Sequence, residues 1–404
     1  MAKETKYTTA SFGSLIIEQP KSTIKVSEAT GFGNYPFFTS GEAVLQHLSP
    51  LTDGESIYMA TGGQANVKYF DGEAAYSTDT WVVKAKEPID SKLLYYHILL
   101  LLSKIDYQFF QGSGLKHLQK KDFKRHEITY PTDPKEQERI VAVLSDLDNA
   151  IAETEALIAK YELVKKGLMH DLLTNGIDEN GNIRSPQTHA YKDSPLGPIP
   201  QEWECVKLRA IGGENYLKTG PFGSSLKNEH WQVVGVPVIT IGAIGESNFI
   251  TENLLFVSDE KAAALQAYRM QIGDILFSRV ADVGRAIVIK KENEGWVMSS
   301  NFMRLRLDKN KAIPQFIFLY IKHHPGFASE IAQQVNASGR SVTNSKILNN
   351  LDFLRIPKNE QIVICNFANQ IDQYIDRESS TRLKLLNQKI GLLHNLLNHD
   401  KEQR

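Results

Sequence analysis

The sequence predicts an α+β protein in which two globular domains are related by pseudo-two-fold symmetry and separated by two long antiparallel helices that form a coiled coil. Three observations predict this fold class. A chain of 404 residues is too long for one ordinary domain; its second half repeats the pattern of the first; and each half ends in a long stretch with apolar residues at helical spacing. The predicted segments are globular domains at 1–133 and 201–356, long helices at 134–175 and 357–404, and a linker at 176–200.

The repeat is clearest in the helices. Glu136-Gln137 recurs as Glu360-Gln361, and the same offset of 224 positions holds without a gap almost to the end of each helix. The identical pairs in this span are Ile140/Ile364, Asp148/Asp372, Ile151/Ile375, Lys160/Lys384, Lys165/Lys389, Gly167/Gly391, Leu168/Leu392, His170/His394, Leu172/Leu396 and Leu173/Leu397. Such a dense ungapped match indicates duplication. Because the globular parts match only weakly, we expect one scaffold to carry two unlike surfaces.

Both long helices are predicted from amphipathic spacing. The stretch from Lys135 to Leu173, with ~38 residues, would be ~57 Å long at the 1.5 Å rise of an α-helix. The second stretch has the alternating three-four spacing of a coiled-coil seam at Leu383, Leu386 and Ile390. We predict that the two helices pair; the alternative is that each packs separately on its own domain. The predicted helix-packing residues are Ile140, Leu147, Ile151, Gly167, Leu168, Leu172, Ile371, Ile375, Leu386, Ile390, Gly391 and Leu393.

Glycine occurs at equivalent positions of the two predicted helices, Gly167 and Gly391. A glycine inside a helix costs ~1 kcal/mol relative to alanine. Its recurrence therefore predicts the close approach of another backbone. The alternative is that both copies inherited an accidental glycine.

The globular parts are predicted to be α+β. Short β-branched and aromatic runs such as Val236–Ile241 and Ala286–Ile289 are separated by turn-forming residues. One shorter helix follows in each half, near Leu93 to Lys104 and near Gln315 to His323. The stretch from Gly176 to Pro200 is rich in proline and glycine, which predicts a linker.

Composition restricts the classes of function. The formal net charge is -1, so any binding to nucleic acid must come from local basic patches. Cys205 and Cys365 lie far apart, which argues against a disulfide framework or a thiolate zinc site and favours a reducing cytosol. Apolar runs such as Ile98–Leu102 are far too short to span a membrane. We therefore predict a cytoplasmic protein without a metal.

The sequence offers little support for catalysis. The nearest approach to the Asn/Asp-Pro-Pro-Tyr/Phe motif of amine methyltransferases is Asn34-Tyr35-Pro36-Phe37, which lacks the first proline and is predicted to be a loop. The sequence contains no nucleotide-binding motif G-x-x-x-x-G-K-[S/T]. We therefore predict neither a catalytic residue nor a cofactor for this chain.

Basic and polar segments are the candidates for contact with nucleic acid. The stretch from Lys116 to His126 is the densest basic patch and suits phosphate contacts; the alternative is a solvated face. In the second half, arginines flank predicted strands, where they could read guanine or form salt bridges within the fold. A glycine-rich turn at Thr61–Asn66 could offer side-chain amides to adenine or be a plain hairpin turn. The candidate DNA-binding residues are Lys116, Lys120, Lys121, Lys124, Arg125, Gln64, Asn66, Arg279, Arg285, Arg304, Arg340, Asn344 and Lys346.

Together these features resemble the DNA-specificity subunits of type I restriction-modification systems. The resemblance covers nearly the whole chain. It is most specific at the Pro-x-x-Glu-Gln-x-x-Ile start of the long helix at Pro134, repeated loosely at Pro357, and at Lys165–Asp178. The stretches Pro198–Trp203 and Gly273–Arg279 are similarly typical of these subunits.

The resemblance implies a non-catalytic subunit of the restriction-modification complex. Each globular domain would be a target-recognition domain that reads one part of a split, asymmetric site in double-stranded DNA, with the helices as a ruler between them. Two modification subunits, which are adenine methyltransferases, would dock on the core and bring restriction subunits with them. S-adenosylmethionine, ATP and Mg would be bound by those partners and not by this chain, and no membrane would be involved.

The sequence departs from this family pattern at two places. The first half lacks an obvious counterpart of Pro200–Leu208, so the start of the first recognition domain is not fixed, and the second long helix lacks an exit like Thr174–Asp178. Two other functions stay open. One is a coiled-coil scaffold that recruits protein partners without reading DNA, which loss of DNA binding in the partner-bound complex would favour. The other is a methyltransferase with divergent motifs, which cofactor binding by the isolated chain would favour.

Overall fold

The computed structural model divides the chain into two compact units. The residues that it describes are 6–222, 225–246, 248–280, 283–337 and 343–398. We call the two units unit 1, which comprises Met1–Leu157 with Glu378–Arg404, and unit 2, which comprises Ile158–Arg377. Each unit therefore combines one globular domain with segments of both long helices.

Unit 1 is an α+β domain built on two sheets. Its strands are β1 (Tyr7–Ser11), β2 (Ile16–Glu18), β3 (Tyr35–Phe38), β4 (Val44–His47), β5 (Ser56–Ala60), β6 (Val67–Phe70), β7 (Ala75–Tyr76), β8 (Thr80–Ala85), β9 (Phe110–Gln111), β10 (His117–Leu118) and β11 (Glu127–Pro131). Its helices are α1 (Ser91–Leu100), α2 (Leu102–Phe109), α3 (Lys120–Phe123) and the first part of α4 (Pro134–Thr174). Strands β2-β8-β5-β6 form an antiparallel sheet, and β4-β3-β7 form a sheet in which β3 and β7 run parallel.

Unit 2 follows the same plan. Its strands are β12 (Tyr191–Lys192), β13 (Ile199–Pro200), β14 (Glu204–Lys207), β15 (Gly212–Thr219), β16 (Val236–Ile239), β17 (Leu255–Val257), β18 (Ile275–Ser278), β19 (Ala286–Val288), β20 (Val297–Met298), β21 (Phe302–Leu307) and β22 (Asp352–Arg355). Its helices are α5 (Asp259–Ala264), α6 (Pro314–His323), α7 (Pro325–Ala337), α8 (Ser345–Asn350) and the first part of α9 (Lys358–Leu397). Strands β15-β21-β18-β19 form an antiparallel sheet, and β17-β16-β20 form a sheet with one parallel pair. The predicted duplicated α+β fold is confirmed.

In each unit the hydrophobic core continues from the sheet into the helices. In unit 1, Leu393 and Leu397 at the end of α9 share a buried cluster with Ile140 of α4. In unit 2 the equivalent residues, Met169 and Leu173 at the end of α4, are buried in the corresponding cluster. Burying one such side chain stabilises a fold by roughly 1.5–3 kcal/mol. The hydrophobic core of each domain is therefore completed by the last turns of the long helix that belongs to the other repeat.

The glutamine of the repeated Glu-Gln pair fixes the start of each long helix. In unit 1 the side chain of Gln137 accepts a hydrogen bond from the backbone N–H of Asp90 at 2.7 Å. It donates to the carbonyl oxygens of Pro88 at 3.0 Å and Pro131 at 2.9 Å. One side chain thus satisfies three backbone groups around the start of α1, the end of β11 and the first turn of α4.

Gln361 makes the same three contacts in unit 2. It accepts from the backbone N–H of Ile313 at 2.9 Å and donates to the carbonyl oxygens of Lys311 at 3.1 Å and Ile356 at 2.8 Å. Its exposed fraction is 1%. The repeat of this residue is therefore explained by a repeated clamp of the backbone.

The long helices pack together and run antiparallel within unit 1. Asp148 of α4 bonds Lys389 of α9, and Glu155 bonds Arg382 at 2.5 Å, so residue numbers rise along one helix as they fall along the other. The predicted pairing of the two helices is confirmed here. The first turns of α4 also pack on their own domain through Ile140.

Unit 2 contains a second antiparallel segment of the pair. Lys165 of α4 bonds Asp372 of α9. The rings of Tyr161 and Tyr374 stack with their centroids 5.6 Å apart. In this segment the helices therefore contact each other through polar and aromatic groups.

Three of the predicted helix-packing residues lie on the outer faces of the helices. Gly167 and Gly391 are exposed, and a methyl group built on either would meet no atom of the described residues within 4 Å beyond its own local backbone. Ile390 is 55% exposed. The prediction that these residues pack the helix pair is wrong, because the contact face passes through their neighbours Leu168, Lys389 and the leucines near the helix ends. The other predicted packing residues are buried or half-buried: Ile140, Leu147, Ile151, Leu168, Leu172, Ile371, Ile375, Leu386 and Leu393.

The stretch at 176–200 packs into unit 2 around the buried carboxylate of Glu360. This carboxylate accepts hydrogen bonds from the backbone N–H of Ile177 at 2.8 Å, from Nη1 of Arg184 at 2.7 Å and from Nε1 of Trp203 at 3.1 Å. The exposed fractions of Arg184 and Glu360 are 9% and 6%. A buried ion pair with this many hydrogen bonds ties the segment that was predicted as a linker to the start of α9.

Candidate nucleic-acid interface

The densest basic segment of the sequence forms a surface strip on unit 1. We call Lys116, Lys120, Lys121, Lys124 and Arg125 the basic strip. Lys116, Lys121 and Arg125 are exposed, and the other two are half-buried. The strip is anchored by the ring of Phe123, which is fully buried and lies 4.6 Å from that of Phe12 between centroids. A short helix with one buried aromatic residue therefore holds the cations at the surface.

Two lysines of the basic strip lie over Trp81. The Nζ atoms of Lys120 and Lys124 are 5.0 Å and 5.8 Å from the centre of its ring, within the range of cation–π attraction. Glu18 pairs with Lys124 and accepts from Nε1 of Trp81 at 2.8 Å. Burial raises the pKa of Glu18, but the hydrogen bonds from Lys124 and Trp81 outweigh burial and hold that pKa below its usual value. Burial lowers the pKa of Lys120, although Glu18 opposes this effect.

The glycine-rich turn lies next to the basic strip. The backbone N–H of Gly63 donates to the carbonyl oxygen of Lys116 at 3.0 Å. Gln64 in this turn is exposed and Asn66 is half-buried. The structure therefore brings the predicted phosphate-binding lysines and the predicted base-reading amides of the first half into one surface.

Among the described residues, the corresponding surface of unit 2 carries fewer basic side chains. Asn344 caps α8, because its side-chain oxygen accepts from the backbone N–H groups of Lys346 at 2.9 Å and Ile347 at 3.0 Å. Lys346 is exposed. Arg340 lies outside the described residues. Helix α8, which takes the place of α3, thus carries one lysine. The capping role of Asn344 uses its side-chain oxygen and leaves its amide nitrogen at the surface.

Two arginines near the end of β18 are half-buried. The backbone carbonyl of Arg279 accepts from the N–H of Thr343 at 2.9 Å, which places Arg279 beside the start of α8. Nη1 of Arg285 donates to the carbonyl oxygen of Ile244 at 2.8 Å. Arg279 therefore lies near Asn344 and Lys346, whereas the guanidinium of Arg285 is partly used by the fold.

Arg304 does not lie on an exposed surface. Its exposed fraction is 4%, and its guanidinium donates to the carbonyl oxygens of Ala267 at 3.3 Å and Asn215 at 3.2 Å. An arginine that reads guanine must bring its guanidinium to the edge of a base. Arg304 is buried between elements of unit 2, so the prediction that it contacts a base is wrong.

Sequence analysis missed residues that only the fold brings to these surfaces. Trp81 lies in β8, far from the basic strip along the chain, so local charge density gave no sign of it. Lys218 and Arg269 are isolated basic residues in the sequence, but both line one cavity with Arg304. Which strand faces the basic segment is decided by the tertiary fold, so the sequence alone offered no signal for Trp81.

One family matches the chain along most of its length. The family model for the type I restriction modification DNA specificity domain matches residues 11–163 and again residues 200–388. The chain belongs to the family of type I restriction-modification DNA specificity subunits. It therefore serves DNA sequence recognition in a restriction-modification system. The two matched segments coincide with the two repeats.

Relatives of this specificity subunit come from several organisms. It is similar to the MjaVIII specificity subunit of Methanocaldococcus jannaschii, with 23% identity over 396 residues that cover 94% of this chain and 89% of the relative. The EcoDI specificity subunit of Escherichia coli is 26% identical over 212 residues, which cover 48% of this chain and 47% of that protein. Among solved structures, the S subunit of a type I restriction-modification system from M. genitalium covers 98% of this chain and 97% of its own, with a TM-score of 0.61 at 16% identity. This last likeness concerns the fold.

In the described part of the specificity subunit, no three His, Cys, Asp or Glu side chains are grouped so that they could hold a metal ion. Nor does any helix of the described ranges have the length and apolar composition needed to cross a membrane.

Proposed function

We propose that this specificity subunit reads a bipartite, asymmetric DNA target, with one half-site contacted by each globular domain. The observation that carries this proposal is that two domains with one sheet plan present different polar groups at equivalent positions. Unit 1 presents the basic strip beside Gln64, whereas unit 2 presents Asn344 and Lys346 at the start of α8. Because base contacts specify sequence and phosphate contacts position the duplex, unlike surfaces predict unlike half-sites.

The helix pair would anchor the partners. In this proposal two modification subunits, which are adenine methyltransferases, bind the helices and bring restriction subunits with them. The specificity subunit itself is non-catalytic and acts in the cytoplasm, and its partners supply the sites for S-adenosylmethionine, ATP and Mg. Equivalent faces on two repeats suit two copies of one partner.

Exposed groups on the helices support this assignment. Gly167 and Gly391 lie at equivalent positions with open space around them. Leu163, Leu383 and Ile390 are 71%, 60% and 55% exposed. Exposed apolar residues beside an exposed glycine would allow a partner to approach each helix closely.

The test of DNA reading is a map of methylated adenines in cells that express the modification subunit with this chain. A split, asymmetric motif should appear only when the chain is present. Exchange of residues 201–356 for those of a relative should change one half-site, and exchange of residues 1–133 should change the other. If methylation occurs at the same sites without the chain, or never occurs despite a stable complex, the chain is a scaffold and the proposal fails.

The test of anchoring is the stoichiometry of the complex. Gly167→Leu should block one modification subunit and Gly391→Leu the other, so that each variant binds one partner in place of two when measured by light scattering. Glu153→Leu, at another exposed position of α4, is the matched control and should bind both. Unchanged stoichiometry in both glycine variants would place the partner contacts elsewhere.

A further inference from the structure

A polar cavity of about 440 Å³ in unit 2 has an excess of positive charge. It lies beside β15, β21 and the 3-10 turn Gln266–Tyr268. Its basic lining residues are Lys218, Arg269, Arg304 and Arg306, and its acidic lining residue is Glu294. A concave site lined by one sign of charge concentrates ions of the opposite sign.

Arg304 carries a buried charge that the described residues do not balance. Its two terminal nitrogens bond the backbone carbonyls of Ala267 and Asn215, and among the described residues Nε finds no acceptor at all. The nearby Asp274 bonds Arg306 through both oxygens, at 2.8 Å and 2.7 Å. An unpaired buried charge is costly, so an arginine in this state is expected to have an anionic partner.

The backbone around Arg304 is irregular. Asn215 has a φ of 51°, the one positive value at a non-glycine residue in the described part of the chain. The register of β15 against β21 shifts between Gly212 and Leu217. Strained residues and strand bulges are concentrated at functional sites. The irregular strand is what brings the carbonyl oxygen of Asn215 to the guanidinium of Arg304.

The charged position at Arg304 is a feature of the second repeat. In the four-stranded sheet of unit 2, Leu276 is paired with Arg304. In the corresponding sheet of unit 1, Tyr58 is paired with Val82, which is buried in an apolar cluster. The second repeat therefore carries a charged residue where the first carries an apolar one.

Two further cations lie at the rim. Nζ of Lys218 is 5.2 Å from the centre of the Tyr268 ring, an attraction that holds the ammonium without neutralising it. Nε of Arg269 donates to the carbonyl oxygen of Ala262 at 3.4 Å, a neutral acceptor that supplies no counter-charge. We propose that this cavity binds a phosphate group, whose oxygens accept hydrogen bonds from Arg304, Arg269 and Lys218. Guanidinium groups suit such an oxyanion because they offer parallel donors together with charge.

The phosphate could come from the DNA backbone or from a free phosphorylated molecule. Both sources offer the same tetrahedral oxyanion, so the lining of the cavity does not distinguish between them. The inference does not rest on the reading of a bipartite target, because a free phosphate could bind even if this domain contacted no DNA.

The test uses the full-length chain and inorganic phosphate as the probe. Calorimetry at constant ionic strength, with chloride replaced by phosphate, should show one site per chain. Arg269→Gln and Lys218→Gln should each weaken phosphate binding about tenfold, the effect of losing a charge-assisted hydrogen bond. Lys311→Gln in the same unit, outside the cavity, is the matched control and should bind like the wild type. These rim variants keep the buried Arg304 and so preserve the fold.

The same titration in the presence of a DNA duplex distinguishes the two sources. If saturating DNA abolishes phosphate binding in the wild type, the natural occupant is a backbone phosphate. If phosphate binds equally well beside DNA, the occupant is a free phosphorylated molecule. No heat of binding at millimolar phosphate, or equal binding by the wild type and both rim variants, would overturn the proposal.

Discussion

Lys165 of α4 bonds Asp372 of α9, and the repeat contains the same ion pair with the helices exchanged. In unit 1, Lys389 of α9 bonds Asp148 of α4. Each residue is the copy of its counterpart at the offset of 224 positions. The duplicated sequence thus fixes the register of the antiparallel helices twice with one pair of residues. Polar pairs at the contact between two helices select one register of the helix pair.

Replacing Lys389 by methionine should destabilise unit 1 by about 1 kcal/mol. Its Nζ lies 5.7 Å from the centre of the Tyr96 ring, and the Tyr96 hydroxyl donates to Asp148 at 2.7 Å, so the ion pair is part of a small network. Urea unfolding of Lys389→Met, Asp148→Asn and the double variant measures the coupling. Lys384→Met, at an exposed position of α9, is the control. Strictly additive effects of the two single changes would show that the ion pair contributes no coupling.

Replacing Gln361 by alanine should cost about 2–4 kcal/mol of unfolding free energy. The change leaves the N–H of Ile313 and the carbonyls of Lys311 and Ile356 without their side-chain partner in a buried place. Gln137→Ala should cost a similar amount in unit 1 for the same reason. The exposed Gln64→Ala is the control, with an expected change within about 0.5 kcal/mol. A loss as small as that of the control would contradict the role of the clamp.

The two recurring residue types show how far the sequence could predict the fold. Gln361 and Gln137 were recognisable as copies, but their partners are backbone groups, which leave no trace in a sequence. Gly167 and Gly391 were recognisable in the same way, and recurrence alone suggested a packed position. Periodicity finds the apolar stripe of a helix, yet it does not say which side of a nearby glycine faces the partner helix.

Only those parts of the candidate site whose residues lie close together in the sequence could be predicted. The basic strip could be predicted because its residues lie close together in the sequence, and so could the turn that holds Gln64. Trp81 in β8 and Lys120 in α3 come together only through tertiary packing, which charge density along the chain does not reveal. The sequence suggests a DNA contact for Arg304, but the burial of Arg304 depends on the neighbouring sheet, and that information is tertiary.

Unit 2 should lose stability below neutral pH because of His324. This residue is 2% exposed, its ring stacks on Tyr320 with centroids 4.4 Å apart, and its Nδ1 accepts from the N–H of Phe327 at 3.1 Å. Burial, with a smaller effect of His170, lowers the pKa of His324 to about 4. An unfolded histidine has a pKa of about 6.5, so the unfolded state binds the proton first as the pH falls.

The contribution of neutral His324 to the free energy of unfolding is therefore complete above pH ~6.5. It is lost as the pH falls towards the folded pKa, with about 2 kcal/mol lost by pH ~5. Urea unfolding at several pH values measures this slope. His324→Asn keeps an acceptor for Phe327 but cannot titrate, so its stability should vary less with pH. His394→Asn, an exposed change, should keep the slope of the wild type. Equal slopes for His324→Asn and the wild type would assign the pH dependence to other groups.

Replacing Lys121 by glutamine should weaken binding of DNA to the complex with the modification subunits and lower its salt dependence. Lys121 is exposed on the basic strip, and loss of one phosphate contact reduces the slope of log K against log salt by about 0.9. Lys124→Gln should have a smaller effect on that slope, because Lys124 is already paired with Glu18 beside Trp81. Lys160→Gln, at an exposed position of α4, is the control. Kd is measured by fluorescence anisotropy over a salt series. A lysine that releases no counterion does not contact a phosphate, so an unchanged slope for Lys121→Gln would remove the basic strip from the DNA interface.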